Sequence, residues 1–346
     1  MRALDMVEHL VGMQAQEPLN PYLGLWSRID RFDPQELSKL LLDREVVRVV
    51  AMRGTLHLVT ADDCLVLRPL VQPVLEQELG RHRDYAPVLR GLDLEPALAV
   101  ARQILEQRPR SGPELRAALH EQFPALDAAA LAYAARNYLP LVQVPPRGVW
   151  GRTGQVVTTT AESYLGRPLA RKPSIDDVVL RYIAAFGPAS VADVSAWSRL
   201  TGMREVVDRL RPRLRPFVDE RGRELFDLPD APRPSRDTPA PPRFLPEYDN
   251  VLLSHADRSR FLPEERRKQL SAGDRTVRGS VLHDGSVIGT WRIDTNRGAD
   301  ASVLVIDHVV TPTRRAVAAL TAEPRRLLRF LELPAENAEV RFAVLG

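Results

Sequence analysis

The sequence predicts an α+β chain in which three helix-rich units precede a strand-rich C-terminal part. Three observations predict it. Capping residues followed by apolar positions at 3.6-residue spacing recur through the first two thirds of the chain. In each of the three units such helices give way to short strand-like runs. After a proline-dense stretch the pattern shifts, and Asp284-Gly285 stands between two runs rich in Val and Ile.

The first unit is expected over residues 1–85. Leu4, Val7, Leu10 and Val11 share one face of a helix predicted from about Ala3 to Met13, and Pro18 and Pro21 keep it from continuing. Asp33-Pro34-Gln35-Glu36 supplies a cap, a proline at the first helical position and an acid three residues after the cap. Leu37, Leu40 and Leu41 then form a stripe, and Val46 to Val50 is read as its possible continuation. Met52 to Val59 alternates as a strand does, and Thr60 caps a helix carrying Leu65, Val66 and Leu70.

The second unit, residues 90–168, has a helix from Leu94 to Glu106, a capping box at Ser111 to Glu114 and a third helix capped by Asp127. Leu141 to Val144 and Val149 to Arg152, about a Pro145-Pro146-Arg147-Gly148 turn, complete it as a hairpin. Three helices and a hairpin are the winged-helix layout, a variant of helix-turn-helix. Residues 172–230 repeat the order: Ser174 and Ser190 cap two helices, Thr201 opens a third ending near Pro212, and two runs flank the turn Asp219 to Arg223. Residues 231–246 are dense in proline and read as a linker. Residues 247–346 contain the strands Val277 to His283, Ser286 to Ile293, Ser302 to Val310 and Val340 to Leu345, with a helix from Thr313 to Leu331. That pattern suggests an α+β or small barrel domain.

Composition narrows the function classes. With 346 residues, 44% of them hydrophobic and 27% charged, the chain reads as an ordinary globular protein of two or three domains. No apolar run reaches the roughly 18 residues of a membrane helix. The start lacks the three-part signature of a signal peptide, so a cytoplasmic location is expected. Cys64 is the single cysteine and the seven histidines lack ligand spacing, so neither a disulfide nor a metal site is expected, and no cofactor is called for. Lys39, Lys172 and Lys268 are the only lysines; the other basic residues are arginines. Arginine suits phosphates and base edges, but its enrichment alongside Ala, Pro and Leu also follows from genome composition. With a net charge of +3, a nucleic-acid surface would have to be a local concentration of arginine.

The segment His9 to Pro18 holds the pair Gln14/Gln16 around one small residue. Taken bare, these are polar residues at the end of a helix. Four other segments stand out: Pro21 to Arg28, Met52 to Leu58, Pro146 to Arg152 and Phe244 to Asn250; a hairpin ending Gly289-Thr290-Trp291-Arg292 accompanies them. Together these segments resemble the winged-helix DNA-binding family of the AlkZ-like and YcaQ-like bacterial DNA glycosylases. The resemblance spans nearly the whole chain. It implies three tandem winged helices in a C-shaped body, with a C-terminal β-barrel completing a basic DNA channel. It also implies hydrolysis of the N-glycosidic bond of bulky or cationic alkylated purines, including interstrand crosslinks made by genotoxic natural products, and hence self-resistance to such a compound. A Gln-aliphatic-Gln motif marks the AlkZ-like branch, whereas the YcaQ-like branch carries Asp at the second position. On that basis Gln14 and Gln16 are the catalytic pair. Family members carry a further helix before the motif; Met1 stands only thirteen residues before Gln14, so a first winged helix short at its N-terminus is expected.

Within the matching segments Arg53, His57, Arg147, Arg152 and Tyr248 are the expected DNA-binding residues, Arg53 and Arg152 through phosphate. Trp150 and Trp291 suit hairpin packing better than base stacking, and Glu247 and Asp249 suit turn anchoring as well as a site. No lysine adjoins the motif to form a Schiff base, so a monofunctional glycosylase is expected, acting as a monomer on double-stranded DNA and associated with the nucleoid when at work. The competing reading is a non-enzymatic winged-helix regulator or damage binder. Against a regulator stand the lack of a heptad-patterned dimerisation helix and the presence of three different units in one chain.

Overall fold

The computed structural model describes residues 1–235, 237–272, 278–294, 302–333 and 339–344. The chain is α+β, as its sequence predicts, and it divides into two compact units. One comprises Met1–Ala231 with Leu253–Ala256; the other comprises Pro232–Leu252 and Asp257–Gly346.

The first unit is built on a six-stranded antiparallel sheet in the order Met13–Gln14, Leu56–Thr60, Val46–Val50, Leu141–Gln143, Val157–Thr160, Arg110–Ser111. Two segments that the sequence places in separate units thus share one sheet, joined where Arg48 lies opposite Gln143 and Val49 opposite Val142. The sequence-based expectation of a helix over Val46 to Val50 is overturned. Four of these five residues are buried, and β-branched side chains suit a central strand covered on both faces. The first helix is also shorter than predicted and ends at His9. Val11 (φ 52°) and Gly12 (φ 93°) turn the chain back through left-handed backbone, which lets Met13–Gln14 pair with Leu58 and His57. A Cβ on Gly12 would fall 2.6 Å from a Val59 methyl, so only glycine meets both demands.

The caps act as read. Asp33, Thr60, Ser111, Asp127, Ser174 and Ser190 each accept a backbone N–H at the start of a helix. Ser111 and Ser190 form full capping boxes with Glu114 and Asp193. The third helix of the next group starts at Met203 behind Gly202, not at Thr201. The partner of Leu141–Gln143 is Val157–Thr160; the stretch Val149 to Arg152, read as that partner, is a turn. Helices Glu95–Gln107, Gly112–Gln122 and Ala128–Tyr138 precede that strand pair and bury Leu105, Leu119 and Ala135 among them. Helices Ile175–Phe186, Val191–Ser198 and Met203–Leu210 precede the hairpin Arg215–Val218/Glu224–Asp227, with the Tyr182 and Trp197 rings tilted against each other at 4.7 Å in their core.

The second unit carries a five-stranded sheet ordered Glu339–Val344, Val303–His308, Ser286–Asp294, Gly279–His283, Arg243–Leu245. Asp284 (φ 48°) and Gly285 (φ 72°) make the tight turn read from the sequence. The expected strand ends at Val277 and Leu345 lie outside the described residues. The barrel expectation is corrected: among the described residues the sheet is open, with Arg243–Leu245 and Glu339–Val344 each paired on one side. The physical reason is the helix Arg314–Phe330, which supplies a crossover. It returns Glu339–Val344 parallel to Val303–His308 instead of closing the sheet onto its first strand. Trp291 packs edge-on to Phe244 and donates to the Leu245 carbonyl at 2.8 Å, the packing role expected of it.

Candidate active site

The site grows from the turn between Val46–Val50 and Leu56–Thr60. Ala51 N–H donates to Thr55 O at 3.0 Å and Gly54 N–H to Ala51 O at 3.0 Å, closing it tightly. Arg53 (φ 59°) and Gly54 (φ 69°) both take left-handed backbone. For arginine this conformation costs on the order of 1–3 kcal/mol, so the surroundings must hold it. They do so through its guanidinium. Nη1 donates to Trp197 O at 3.2 Å, and Nη2 donates to Gln14 Oε1 at 3.1 Å and lies 3.3 Å from His57 Nε2.

The glutamine motif is therefore not at a helix end. Gln14 is the last residue of an edge strand, opposite His57. Its neighbour Ala15 is held on both sides: its N–H donates to Leu56 O at 2.8 Å, and its carbonyl accepts from Arg48 Nη2 at 2.6 Å. Arg48 is 2% exposed. Burial, with Arg147 adding to it, pushes its pKa down to about 10, so it keeps its charge at neutral pH.

These contacts fix how the amides point. Arginine donates and never accepts, so the Gln14 atom facing Arg53 is its oxygen. The Gln14 NH₂ then faces Gln16 and meets that side chain's oxygen, the bond seen at 2.6 Å. Gln14 is buried, and Gln16 is exposed. Gln16 Oε1 keeps one lone pair beyond the bond from Gln14, and the residue lines a cavity of about 470 Å³.

His57 completes the arrangement as a neutral ring. Its Nδ1 donates to Thr55 O at 2.9 Å, which leaves the Nε2 lone pair facing Arg53. Burial, followed by the Arg53 charge, pushes its pKa down to about 3. The ring is neither cation nor available base at neutral pH. It steadies Arg53.

Four of the sequence-predicted residues, Gln14, Gln16, Arg53 and His57, thus meet in one hydrogen-bonded chain. Arg147, partly buried, donates to Gly154 O at 3.3 Å. Arg152 is exposed on the adjoining turn. Tyr248, partly buried with φ 59°, belongs to the second unit. Trp150 donates its backbone N–H to Ser38 at 3.1 Å, and its ring lies 5.0 Å from Tyr22. Thr55, Trp197 and Arg48 were not legible as site residues, because Thr55 and Trp197 act through backbone carbonyls and Arg48 reaches the backbone of Ala15, 33 positions away.

Against known proteins, residues 7–330 match the family described as DNA glycosylase AlkZ-like. The chain belongs to that family. An interstrand DNA cross-link repair glycosylase of Streptomyces sahachiroi is 26% identical over 326 residues, covering 84% of this chain and 82% of the relative. The solved structure of the Streptomyces sahachiroi DNA glycosylase AlkZ superposes with a TM-score of 0.78 at 22% identity, over 99% of this chain and 94% of that one. At that identity the likeness is one of fold. In this AlkZ-like chain the Gln-Ala-Gln segment is an edge-strand terminus clamped by Arg48 and oriented by Arg53.

Proposed function

We propose that this protein is a monofunctional DNA glycosylase that hydrolyses the N-glycosidic bond of cationic alkylated purines of the 7-alkylguanine class. The single observation that carries the reading is the polarised amide pair, Arg53 to Gln14 to Gln16, which ends at an exposed amide beside an open cavity. Membership of the family supports it. The kinship with a cross-link repair glycosylase extends the reading to unhooking of interstrand crosslinks, with self-resistance to a genotoxin as the biological role.

A 7-alkylated guanine already carries positive charge. When the C1′–N9 bond breaks, the base takes the electron pair and leaves neutral, so no acid is needed. The sugar becomes oxocarbenium-like, and water adds to C1′ and loses a proton to solvent. Gln16 Oε1 holds that water through its remaining lone pair and turns its dipole toward the developing charge. Arg53 sets the pair's orientation before the lesion arrives; positioning of this kind supplies several kcal/mol of barrier reduction. A neutral amide is a poor base, so unmodified purines, which make poor leaving groups, are spared.

The remaining parts fit a DNA substrate. We read the helix triplets 95–138 and 175–210, each followed by a strand pair, as winged helices, and the segment around the glutamines as the first of three. Arg147, Arg152 and Tyr248 are assigned to contacts with DNA. The residues bonded to the glutamines or lining the cavity include no lysine, among those described, so no Schiff base forms there.

The test uses a duplex containing 7-methylguanine. Free base should appear while the backbone stays intact until alkali cleaves it. A borohydride-trapped covalent adduct, or tight damage binding with no release, would overturn the proposal.

A further inference from the structure

The cavity that Gln16 rims continues away from the glutamines, and its walls have a chemistry of their own. Tyr85 and Tyr133 stand on one side with ring centroids 5.0 Å apart, backed by His82 at 4.5 Å from each. Arg136 lies over the Tyr133 ring at 5.9 Å and lines the space together with Arg116. Gln143 and Thr158 also line it. No carboxylate is among the described lining residues.

These features exclude one occupant and select another. A cationic purine would face two guanidinium groups with no opposing acid, so the damaged base itself does not belong in this space. The volume of about 470 Å³ is that of a small-molecule pocket, larger than one purine ring system fills. Tyrosine faces take a planar ring. Arginines take carbonyl or carboxylate oxygens. Resting on the glycosylase reading above, we infer that the cavity is a receptor for a planar, uncharged or acidic aromatic substituent carried by the adduct, which it seats while Gln16 addresses the glycosidic bond. The receptor anchors the adduct and leaves the chemistry to the glutamines.

Two measurements on the full-length protein test this. The first compares excision of 7-benzylguanine with excision of 7-methylguanine from the same duplex, by wild type and by Tyr133→Leu and Arg136→Ala. The variants should raise KM for the benzyl adduct by about tenfold, the scale of one lost stacking contact, and leave the methyl adduct within about twofold. Equal loss on both adducts by folded variants would place the purine itself in the cavity and overturn the inference, as would equal retention. The second measurement needs no activity and no variant. Indole-2-carboxamide, which offers a planar ring and a carbonyl, should give saturation-transfer NMR signals with wild type and inhibit benzyl-adduct excision competitively. Absence of both effects overturns the inference. Binding of the probe without excision of either adduct would instead contradict the glycosylase reading and leave the receptor standing.

Discussion

At the scale of residues, the pair Gln14/Gln16 was visible in the sequence, but its geometry was not. Only the contact with a donor-only arginine decides which end of each amide faces which partner, and that arginine is 39 positions away in the chain. The sequence suggested Arg53 as a phosphate contact. The structure adds that its guanidinium reaches Gln14, His57 and Trp197 from a left-handed backbone. Arg53→Met should therefore slow excision by about 100-fold, the cost of a misplaced catalytic group, with DNA affinity reduced much less; single-turnover kinetics beside a binding titration measure both. His57 leads to a pH prediction. Its folded pKa, about 3, lies below the ordinary 6.5, so between those values the unfolded chain binds more protons than the folded one. Stability should fall as pH drops through that window, by at most about 1.4 kcal/mol per pH unit from this residue. Denaturant melts from pH 7 to pH 4 follow it, and His57→Gln should flatten the slope. Excision between pH 6 and 8 should show no titration of His57.

At the scale of elements, caps and tight turns were legible because each is local. Asp33, Ser111 and Ser190 do what their side chains dictate within three residues, and Asp284-Gly285 turns where two positive φ angles are needed. Pairing was not legible. Val46–Val50 became a strand because Leu56–Thr60 and Leu141–Gln143 flank it, the latter about 95 residues on, a distance no local pattern spans. The two-residue strand Met13–Gln14 is too short to show any period, and it depends on Gly12. Gly12→Ala should cost about 1–3 kcal/mol from the strained backbone, with the clash against Val59 added. It should also lower excision through the displaced glutamines; thermal melts and activity of the same preparation report both effects.

At the scale of the whole molecule, the sequence conveyed the order of helices and strands and the change in character after the proline-rich stretch. It did not convey that the first two groups share one sheet, nor that the C-terminal sheet stays open. Both depend on which edges meet, and the open sheet depends on the crossover helix Arg314–Phe330. DNA binding also belongs to this scale. With a net charge of only +3, affinity must come from particular arginines. Arg152→Ala should weaken binding uniformly across sequences and reduce the salt slope by about one, as read from titrations at several ionic strengths. All of these expectations depend on the glutamine pair working as one unit. The direct test is single-turnover release of 7-methylguanine by wild type, Gln14→Ala, Gln16→Ala and the double variant, with duplex affinity measured in parallel. A coupled pair requires each single variant to lose most of the rate and the double variant to lose little more, while DNA binding persists. Wild-type excision by the double variant would contradict the account.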